Sequence, residues 1–270
     1  MLLTRRLHRL AILVILLIVA IVMLFPFAYM LLVAFRSPDQ YLAGEGFSLD
    51  SWRSLFDSLP VAQQLVNSAI VTLSSVALIV ITSTMAGFAF AKLRFPLAPL
   101  LFVGILAGMM IPVQSIIIPE FVNIANIGLI NQYPGPILVY GVLGIPFATY
   151  LMTTYFRGVP DDIIEAARVD GAGYGQVFRT MMMPLAVPAV VTVAVLQFIQ
   201  IWGDLLIGLL FLQQPEVRTI TVGLATLQSS RIIPVTLIMA GSIISLLPAV
   251  IVYLIFQRQL IAGLTMGMGK

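Results

Sequence analysis

Few side chains in this sequence can ionise, and two acids stand inside apolar runs where a charge is costly. Glu120 follows Pro119, and Asp204 lies in the stretch QFIQIWGDLL, which begins at Gln197. A charge at the centre of a bilayer costs about 2.5 to 3.5 kcal/mol even by moderate estimates, so such residues are candidates for function. Each acid could face an aqueous cavity or hydrogen-bond a neighbouring helix. We therefore take Asp204, Trp202, Gln197 and Glu120 as candidates for a solute path.

Residues for enzymatic chemistry are not grouped anywhere in the sequence. The chain has no cysteine and a single histidine, His8, and it lacks the GxSxG, HExxH and Walker-type glycine motifs. The adjacent Asp161 and Asp162 point in different directions, and a helix start explains them better than acid–base catalysis. We predict no enzyme activity, no catalytic residue and no metal site. A membrane-embedded enzyme or scaffold has no residue cluster in its favour.

The composition places these candidates in a membrane protein. Hydrophobic residues make up 60% of the chain and charged residues only 9%, a balance that a soluble domain does not have. Six apolar runs approach or exceed the roughly 20 residues that a helix needs to cross about 30 Å of hydrocarbon. They do not alternate as barrel strands do. The prediction is an all-α integral membrane protein, a single transmembrane domain over 1–270, with six transmembrane helices at approximately 10–35, 64–91, 97–124, 133–156, 184–212 and 232–256.

The basic residues predict the orientation. Of the 14 lysines and arginines, six crossings place ten on the side of the amino terminus, so both termini are expected to be cytoplasmic. The net charge of +3 is scattered over many loops and forms no patch for nucleic acid. The four basic residues expected on the opposite side are Arg36, Arg53, Arg218 and Arg231.

A charged segment, DDIIEAARVDGAGYGQVFRTMMMPL at 161–185, separates the fourth and fifth spans. Asp162 and Glu165 have the spacing of a capping box, and the glycines of DGAG supply a helix stop. This pattern predicts a helix over 162–170 and a second helix that begins near Tyr174. The two helices would form a helix–glycine–helix elbow between membrane spans.

The first helix of the elbow has a face with little bulk, which would let its backbone sit in a groove of another protein. Arg168 is expected to pair with Glu165 along the helix. The alternative is a solvated connecting loop, which does not require amphipathic helices or a glycine hinge in this order. The predicted face consists of Ile163, Ala166, Ala167 and Asp170.

The segment EAARVDGAGYGQVFRTMMMPLAVPA, residues 165–189, resembles the EAA loop of ABC importer permeases. Its DGA triplet and its Met-Pro-Leu end resemble the carbohydrate-importer branch. The chain departs from that pattern at Trp202-Gly203-Asp204, where the family often has Trp-Asn-Glu. Further similarity covers NSAIVTLSSV at 67–76, AGFAFAKLRF at 86–95, MMIPVQ at 109–114 and RQLIAGLTMGMGK at 258–270.

The resemblance implies a permease subunit of an ATP-driven, binding-protein-dependent sugar importer of the maltose type in the bacterial cytoplasmic (inner) membrane. It implies a second homologous permease, two ABC ATPase subunits that dock on the EAA loop at 158–183 and bind ATP and Mg²⁺, and an extracellular or periplasmic sugar-binding protein. This chain would itself hold no cofactor, and its tail at 263–270 would reach toward the ATPases. The residues that the resemblance assigns to ATPase coupling are Glu165, Ala166, Ala167, Asp170, Gly171, Ala172 and Pro184.

The alternative function is a self-sufficient secondary transporter or channel for a small polar solute. An ion-driven carrier normally shows a chain of acids or unwound ion-binding segments near the midplane, and neither stands out here. Uptake by the purified chain, driven by an ion gradient without ATP, would distinguish the two. For the importer, the resemblance favours a di- or oligosaccharide over a monosaccharide.

Overall fold

A computed structural model describes the backbone of residues 2–229 and 234–266 and the side chains of residues 8–228 and 234–260. Helices are the only regular secondary structure in these ranges, which confirms the predicted all-α class. The chain divides into two compact units. One comprises Met1–Val61 with Leu224–Leu246, and the other comprises Ala62–Gly223 with Leu247–Lys270. Arg231 and the end of the tail, 267–270, lie outside the described residues, and so do the side chains of 263–266.

The first unit begins with the helices α1 (Leu2–Ala34), α2 (Pro38–Ala43) and α3 (Asp50–Ser58). Helix α1 is apolar and almost wholly exposed from His8 to Leu32, as expected of a helix that faces lipid, whereas Val33 and Ala34 at its end are buried. A capping box starts α2, because Ser37 Oγ accepts from the Gln40 N–H and Gln40 Oε1 accepts from the Ser37 N–H. In α3 the buried Ser51 donates to Arg36 O at 2.8 Å.

The remaining helices include the long membrane helices of the second unit and several short ones. In chain order they are α4 (Val61–Lys92), α5 (Ala98–Gly108), α6 (Val113–Asn126), α7 (Pro134–Arg157), α8 (Asp162–Val169), α9 (Tyr174–Val177), α10 (Met183–Trp202), α11 (Leu206–Phe211), α12 (Ile220–Ser229) and α13 (Val235–Met266). A five-residue π-helical turn, Phe178–Met182, joins α9 to α10.

Within the described ranges, five helices are long and apolar enough to cross a membrane, and a bent pair makes a sixth candidate. This pair, α5 and α6, lies where the third span was predicted at 97–124, and its two helices meet at 97°. The prolines of this segment were expected to kink or break its helix, and the structure has a break just before Pro112. The break has a local cause, because Pro112 disfavours a helical conformation at the residue before it. At the end of α5 the hydrogen bonds join residues three apart, as in a 3₁₀ turn, for example Met110 N to Ala107 O at 3.0 Å.

The fifth span also differs from the prediction of 184–212. The helix runs over Tyr174–Trp202, including the π-helical turn, and Gly203 follows its last residue. The segment that was expected to complete this span forms the separate short helix α11 instead. The second helix of the elbow is therefore continuous with the fifth span.

Glycines bring α4 and α7 close together. A Cβ atom on Gly87 would lie 2.6 Å from Met152 Cβ and 2.9 Å from the Thr153 backbone nitrogen, a distance that side chains do not tolerate. Gly141 makes similar room for Leu78. Such close approach through small residues is typical of helix packing in membranes. The two helices therefore have little freedom to move apart without losing these contacts.

Polar side chains near the first residues of α4 hold the loop that follows α11. The buried Asn67 donates to Glu216 O and Arg218 O, both at 2.9 Å, and accepts from Tyr133 Oη at 2.7 Å. Ser68 Oγ accepts from the Ile220 backbone N–H at 2.9 Å. We call this set of bonds the amide network, because each bond involves the side-chain amide of Asn67 or a backbone amide. All of its groups are uncharged.

Candidate functional sites

The elbow, residues 158–183, begins with α8, which is close to the predicted helix over 162–170. Ile164 and Ala167 are buried against the rest of the chain at 6% and 2% exposure. The opposite face of α8 is exposed at helical spacing of three and four residues. It consists of Asp162, Glu165, Ala166, Val169 and Asp170.

The exposed face of α8 therefore differs from the predicted one. Ala167 was expected beside Ala166 on an accessible face, yet it packs inward, and Ile163 is half-buried. Val169, which the prediction left out, is 87% exposed.

The amino terminus of α8 is not closed by the predicted capping box, because no side-chain cap bond forms there. Asp161 instead accepts a hydrogen bond from Lys92 Nζ at 2.5 Å. This bond and the charge of the ammonium lower the pKa of the exposed Asp161 carboxyl below its ordinary value. The local pattern thus missed a partner that stands 69 residues away along the chain.

The carboxyl terminus of α8 ends as the sequence predicts. Gly171 has a left-handed φ of +85°, its N–H donates to Arg168 O at 3.0 Å, and the Ala172 N–H donates to Ala167 O at 2.9 Å. These two bonds form a Schellman motif, which glycine accommodates without steric cost. The second glycine, Gly173, takes an extended conformation before α9 and is not part of the stop.

Arg168 turns toward the next helix of the elbow and not toward Glu165. Its guanidinium donates to Tyr174 Oη at 2.5 Å and lies 4.5 Å from the centre of the Tyr174 ring. The predicted pair along α8 is therefore replaced by a contact that spans the Gly171 bend. Such a cation–π contact stabilises the angle between α8 and α9.

The second half of the elbow is anchored in the core. Val177 and Met182 are fully buried, and the Phe178 ring lies 5.1 Å from the ring of Phe88 on α4. The Met183 N–H bonds Phe178 O five residues back, which is the π-helical turn. Pro184 explains this irregularity, because proline cannot donate to the carbonyl four residues earlier and crowds it.

A cavity of about 590 Å³ lies among α5, α7, α10 and α11. Its lining is mostly aliphatic and glycine, as is usual for ligand cavities. Gln197 and Gln200 reach it from successive turns near the end of α10, Asp204 reaches it from the link between α10 and α11, and Tyr140 reaches it from α7. Sequence reasoning missed Gln200 and Tyr140, although the three-residue spacing of Gln197 and Gln200 would have placed both glutamines on one face.

Gln197 is 2% exposed, and no hydrogen bond joins its amide to another described residue. Gly144 on α7 provides the room for this side chain, because a Cβ there would lie 2.7 Å from Gln197 Oε1. Asp204 has two fixed bonds: its Oδ1 accepts from Tyr140 Oη at 2.9 Å and from the Ile207 backbone N–H at 2.8 Å. Asp204 thus orients the tyrosine and starts α11, and its carboxylate also lines the cavity.

The structure brings two of the four predicted path residues together. Gln197 and Asp204 share the cavity. Trp202 is 6% exposed and stacks on Phe198 with ring centres 5.4 Å apart, outside the cavity lining. Glu120 does not line the cavity itself but is half-buried in a narrow crevice of α6 and α7 that adjoins it.

A helical membrane domain with a mostly apolar cavity that a few polar side chains enter, and with an exposed short helix beyond its spans, is typical of a multi-pass transport subunit. Residues 79–265 match the family described as "Binding-protein-dependent transport system inner membrane component". The chain belongs to this family, because the match covers more than half of its length.

Similar proteins agree with this membership. The trehalose transport system permease protein SugB of Mycobacterium tuberculosis is 36% identical over 234 residues, which are 86% of this chain and 85% of SugB. The maltodextrin transport system permease protein MdxG of Bacillus subtilis is 31% identical over 268 residues, 97% of this chain and 96% of MdxG. The diacetylchitobiose uptake system permease protein NgcG of Streptomyces coelicolor is 29% identical over 256 residues, 92% of this chain and 84% of NgcG.

The fold has a solved counterpart in the crystal structure of a bacterial ABC transporter involved in the import of alginate. A chain of that transporter matches with a TM-score of 0.80 and 23% identity, over 94% of this chain and 97% of that one. Together these similarities confirm the prediction of an ABC importer permease of the carbohydrate-uptake family, a multi-pass membrane protein. Membership implies, in general terms, a partnering permease, an ATPase and a binding protein.

Proposed function

We propose that this chain moves a sugar across the bacterial cytoplasmic membrane as one of two permease subunits. Two ATPase subunits, which bind all of the ATP and Mg²⁺, dock on the elbow, and an external binding protein delivers the sugar. Both termini lie in the cytoplasm. The observation that carries this proposal is the exposed face of α8, which stands beyond the membrane spans and ends in a fixed bend.

Glu165, Ala166, Val169 and Asp170 make the ATPase contact in this proposal. Ala167, Gly171, Ala172 and Pro184 support it from within the elbow, by packing and by the two helix breaks. Rocking of the permease pair between inward- and outward-facing states follows when the ATPases close and move α8. No observation favours the alternative of a self-sufficient carrier or channel.

Reversal of one charge tests the docking surface. We expect Glu165→Lys to leave the chain in the membrane and to abolish ATP-dependent sugar uptake, since it places a cation where the partner groove meets a carboxylate. The matched control is Arg179→Glu, which reverses an exposed charge of the same elbow. Uptake and co-purification of the ATPases are measured for both variants. Normal uptake with Glu165→Lys would exclude the docking role.

The cavity is proposed as part of the solute path, with Gln197, Gln200 and Asp204 offering hydrogen bonds to sugar hydroxyls. The names of the relatives, which include trehalose, maltodextrin and diacetylchitobiose systems, favour a di- or oligosaccharide. The proposal leaves Trp202 and Glu120 out of the path.

Gln197→Leu tests this path, because it keeps the bulk of the side chain and removes its amide. We expect the KM for uptake to rise about 5- to 10-fold, in line with the loss of about 1 to 1.5 kcal/mol for a hydrogen bond. Gln257→Leu on α13, which changes an exposed glutamine, is the control. An unchanged KM in Gln197→Leu would remove the cavity from the path.

A further inference from the structure

Lys92 is the last residue of α4, and its side chain is buried although it carries a positive charge. Its side chain is 4% exposed, whereas that of its partner Asp161 is 73% exposed. The ammonium donates to two acceptors at 2.5 Å each, the Asp161 carboxylate and the backbone carbonyl of Val159. A buried ammonium is tolerated only with such partners, so its position is fixed by both of them.

Both acceptors belong to the segment that connects α7 to α8. The nearby backbone bonds of this segment, Gly158 N to Tyr155 O and Val159 N to Phe156 O, point back into the end of α7. These two bonds do not fix the angle between α8 and α7. The bonds from Lys92 are the polar contacts that tie the start of α8 to a different helix.

Helix α4 is a suitable support for this contact. It is continuous over 32 residues, or about 48 Å, and Gly87 seats it against α7 one turn before Lys92. The Phe88 ring also contacts Phe178 of the elbow and Phe156 of α7, at 5.1 Å and 6.0 Å between ring centres. The end of α4 is therefore held on two sides before it reaches the elbow.

We propose that Lys92 is a positioning residue that fixes α8 to α4, so that force applied to α8 moves the membrane helices. Ile164 and Ala167 give α8 an apolar attachment, Arg168 ties its last turn to Tyr174, and the Lys92 bonds hold the residues at its start. Without the Lys92 bonds, the start of α8 is free to pivot about the contacts farther along the helix. The role in transport rests on the function proposed above, but the fixing of α8 does not.

The fixing of α8 can be tested on the purified full chain. The chain has no cysteine, so Val169→Cys, at an 87% exposed position, accepts a single nitroxide label. We expect the label to become more mobile on the nanosecond timescale in Lys92→Met, which keeps the aliphatic stem and removes the ammonium. Lys92→Arg should restore the low mobility, and Arg179→Met should leave it unchanged. Equal mobility in the parent and Lys92→Met would overturn the proposal.

The consequence for transport is measured in the complete transporter in proteoliposomes. With the exposed face of α8 intact, Lys92→Met should still bind the ATPases and hydrolyse ATP. The sugar moved per ATP should fall at least about fivefold, a common size for coupling between sites. A merely structural role would lower uptake and hydrolysis together. An unchanged ratio of sugar to ATP would contradict the coupling role.

The two proposals fail in different ways. If the proposed function is wrong, the parent chain itself shows no ATP-dependent uptake, and Glu165→Lys has nothing to abolish. If only the role of Lys92 is wrong, Glu165→Lys abolishes uptake while Lys92→Met transports normally. Asp161→Ala is a second variant, which removes the carboxylate and keeps Val159 O as an acceptor for Lys92, and it should give an intermediate ratio.

Discussion

The two ends of α4 hold their neighbours by different chemistry. Near Val61, the buried side chains of Asn67 and Ser68 bind the loop after α11 through several bonds between uncharged groups. At the other end a single ammonium binds an exposed carboxylate and one carbonyl. The bonds of the neutral network do not depend on pH, whereas the charged contact depends on the ionisation of Asp161. The end of α4 near Asn67 therefore holds its neighbouring loop in a fixed position. The end at Lys92, in our proposal, transmits movement of α8 to the membrane helices.

The largest expected effect on stability comes from the amide network. Asn67→Ala removes two donated bonds and leaves Glu216 O, Arg218 O and the Tyr133 hydroxyl without this partner. Unsatisfied buried groups cost about 1 to 3 kcal/mol, so we expect a clear fall in the melting temperature of the detergent-solubilised chain. Hydrogen exchange of the loop at 213–218 should rise at the same time.

Lys92→Met sharpens this comparison when it is measured in the same way. Its melting temperature should fall less than that of Asn67→Ala, because Asp161 is mostly exposed and gives up little on losing its partner. The sugar moved per ATP should nevertheless fall more in Lys92→Met than in Asn67→Ala. If Asn67→Ala lowered the sugar moved per ATP more than Lys92→Met, the division of roles between the two ends would be wrong.

The smallest expected effect is the response of the two ends to acid. Lys92 lowers the pKa of Asp161 in the folded chain, so this contribution is complete above the ordinary carboxyl pKa of about 3.9. It is lost as the pH falls through the lowered value. The label at position 169 should therefore stay immobile from neutral pH to about pH 4 and gain mobility below that. Exchange in the amide network, corrected for its intrinsic rate, should show no such step.

The sequence predicted the features that depend on local rules. Apolar runs indicated the spans, and the DGAG segment indicated the end of α8 and the bend at Gly171, since a left-handed residue after a helix favours glycine. Gln197 and Asp204 followed from the cost of polar groups in lipid. These inferences need only a residue and its neighbours along the chain.

Contacts between distant segments were not predictable in the same way. Asp162 and Glu165 have the spacing of a capping box, but Asp161 binds Lys92 from α4 and the cap does not form. Likewise, the α8 sequence has two apolar faces, and only tertiary packing selects Ile164 and Ala167 as the buried one. Spacing showed that α8 exists, and its surroundings decided which side is accessible.

The bond from Lys92 to Asp161 also orders events during synthesis of the protein. Lys92 leaves the ribosome 67 and 69 residues before the two groups that neutralise and hold it. Between these moments the helix Pro134–Arg157 must be made and inserted, because it carries those groups to their place. A nascent chain that stops before Val159 therefore lacks both acceptors that hold Lys92 in the folded protein, and the contact can close only after the fourth membrane segment has been made.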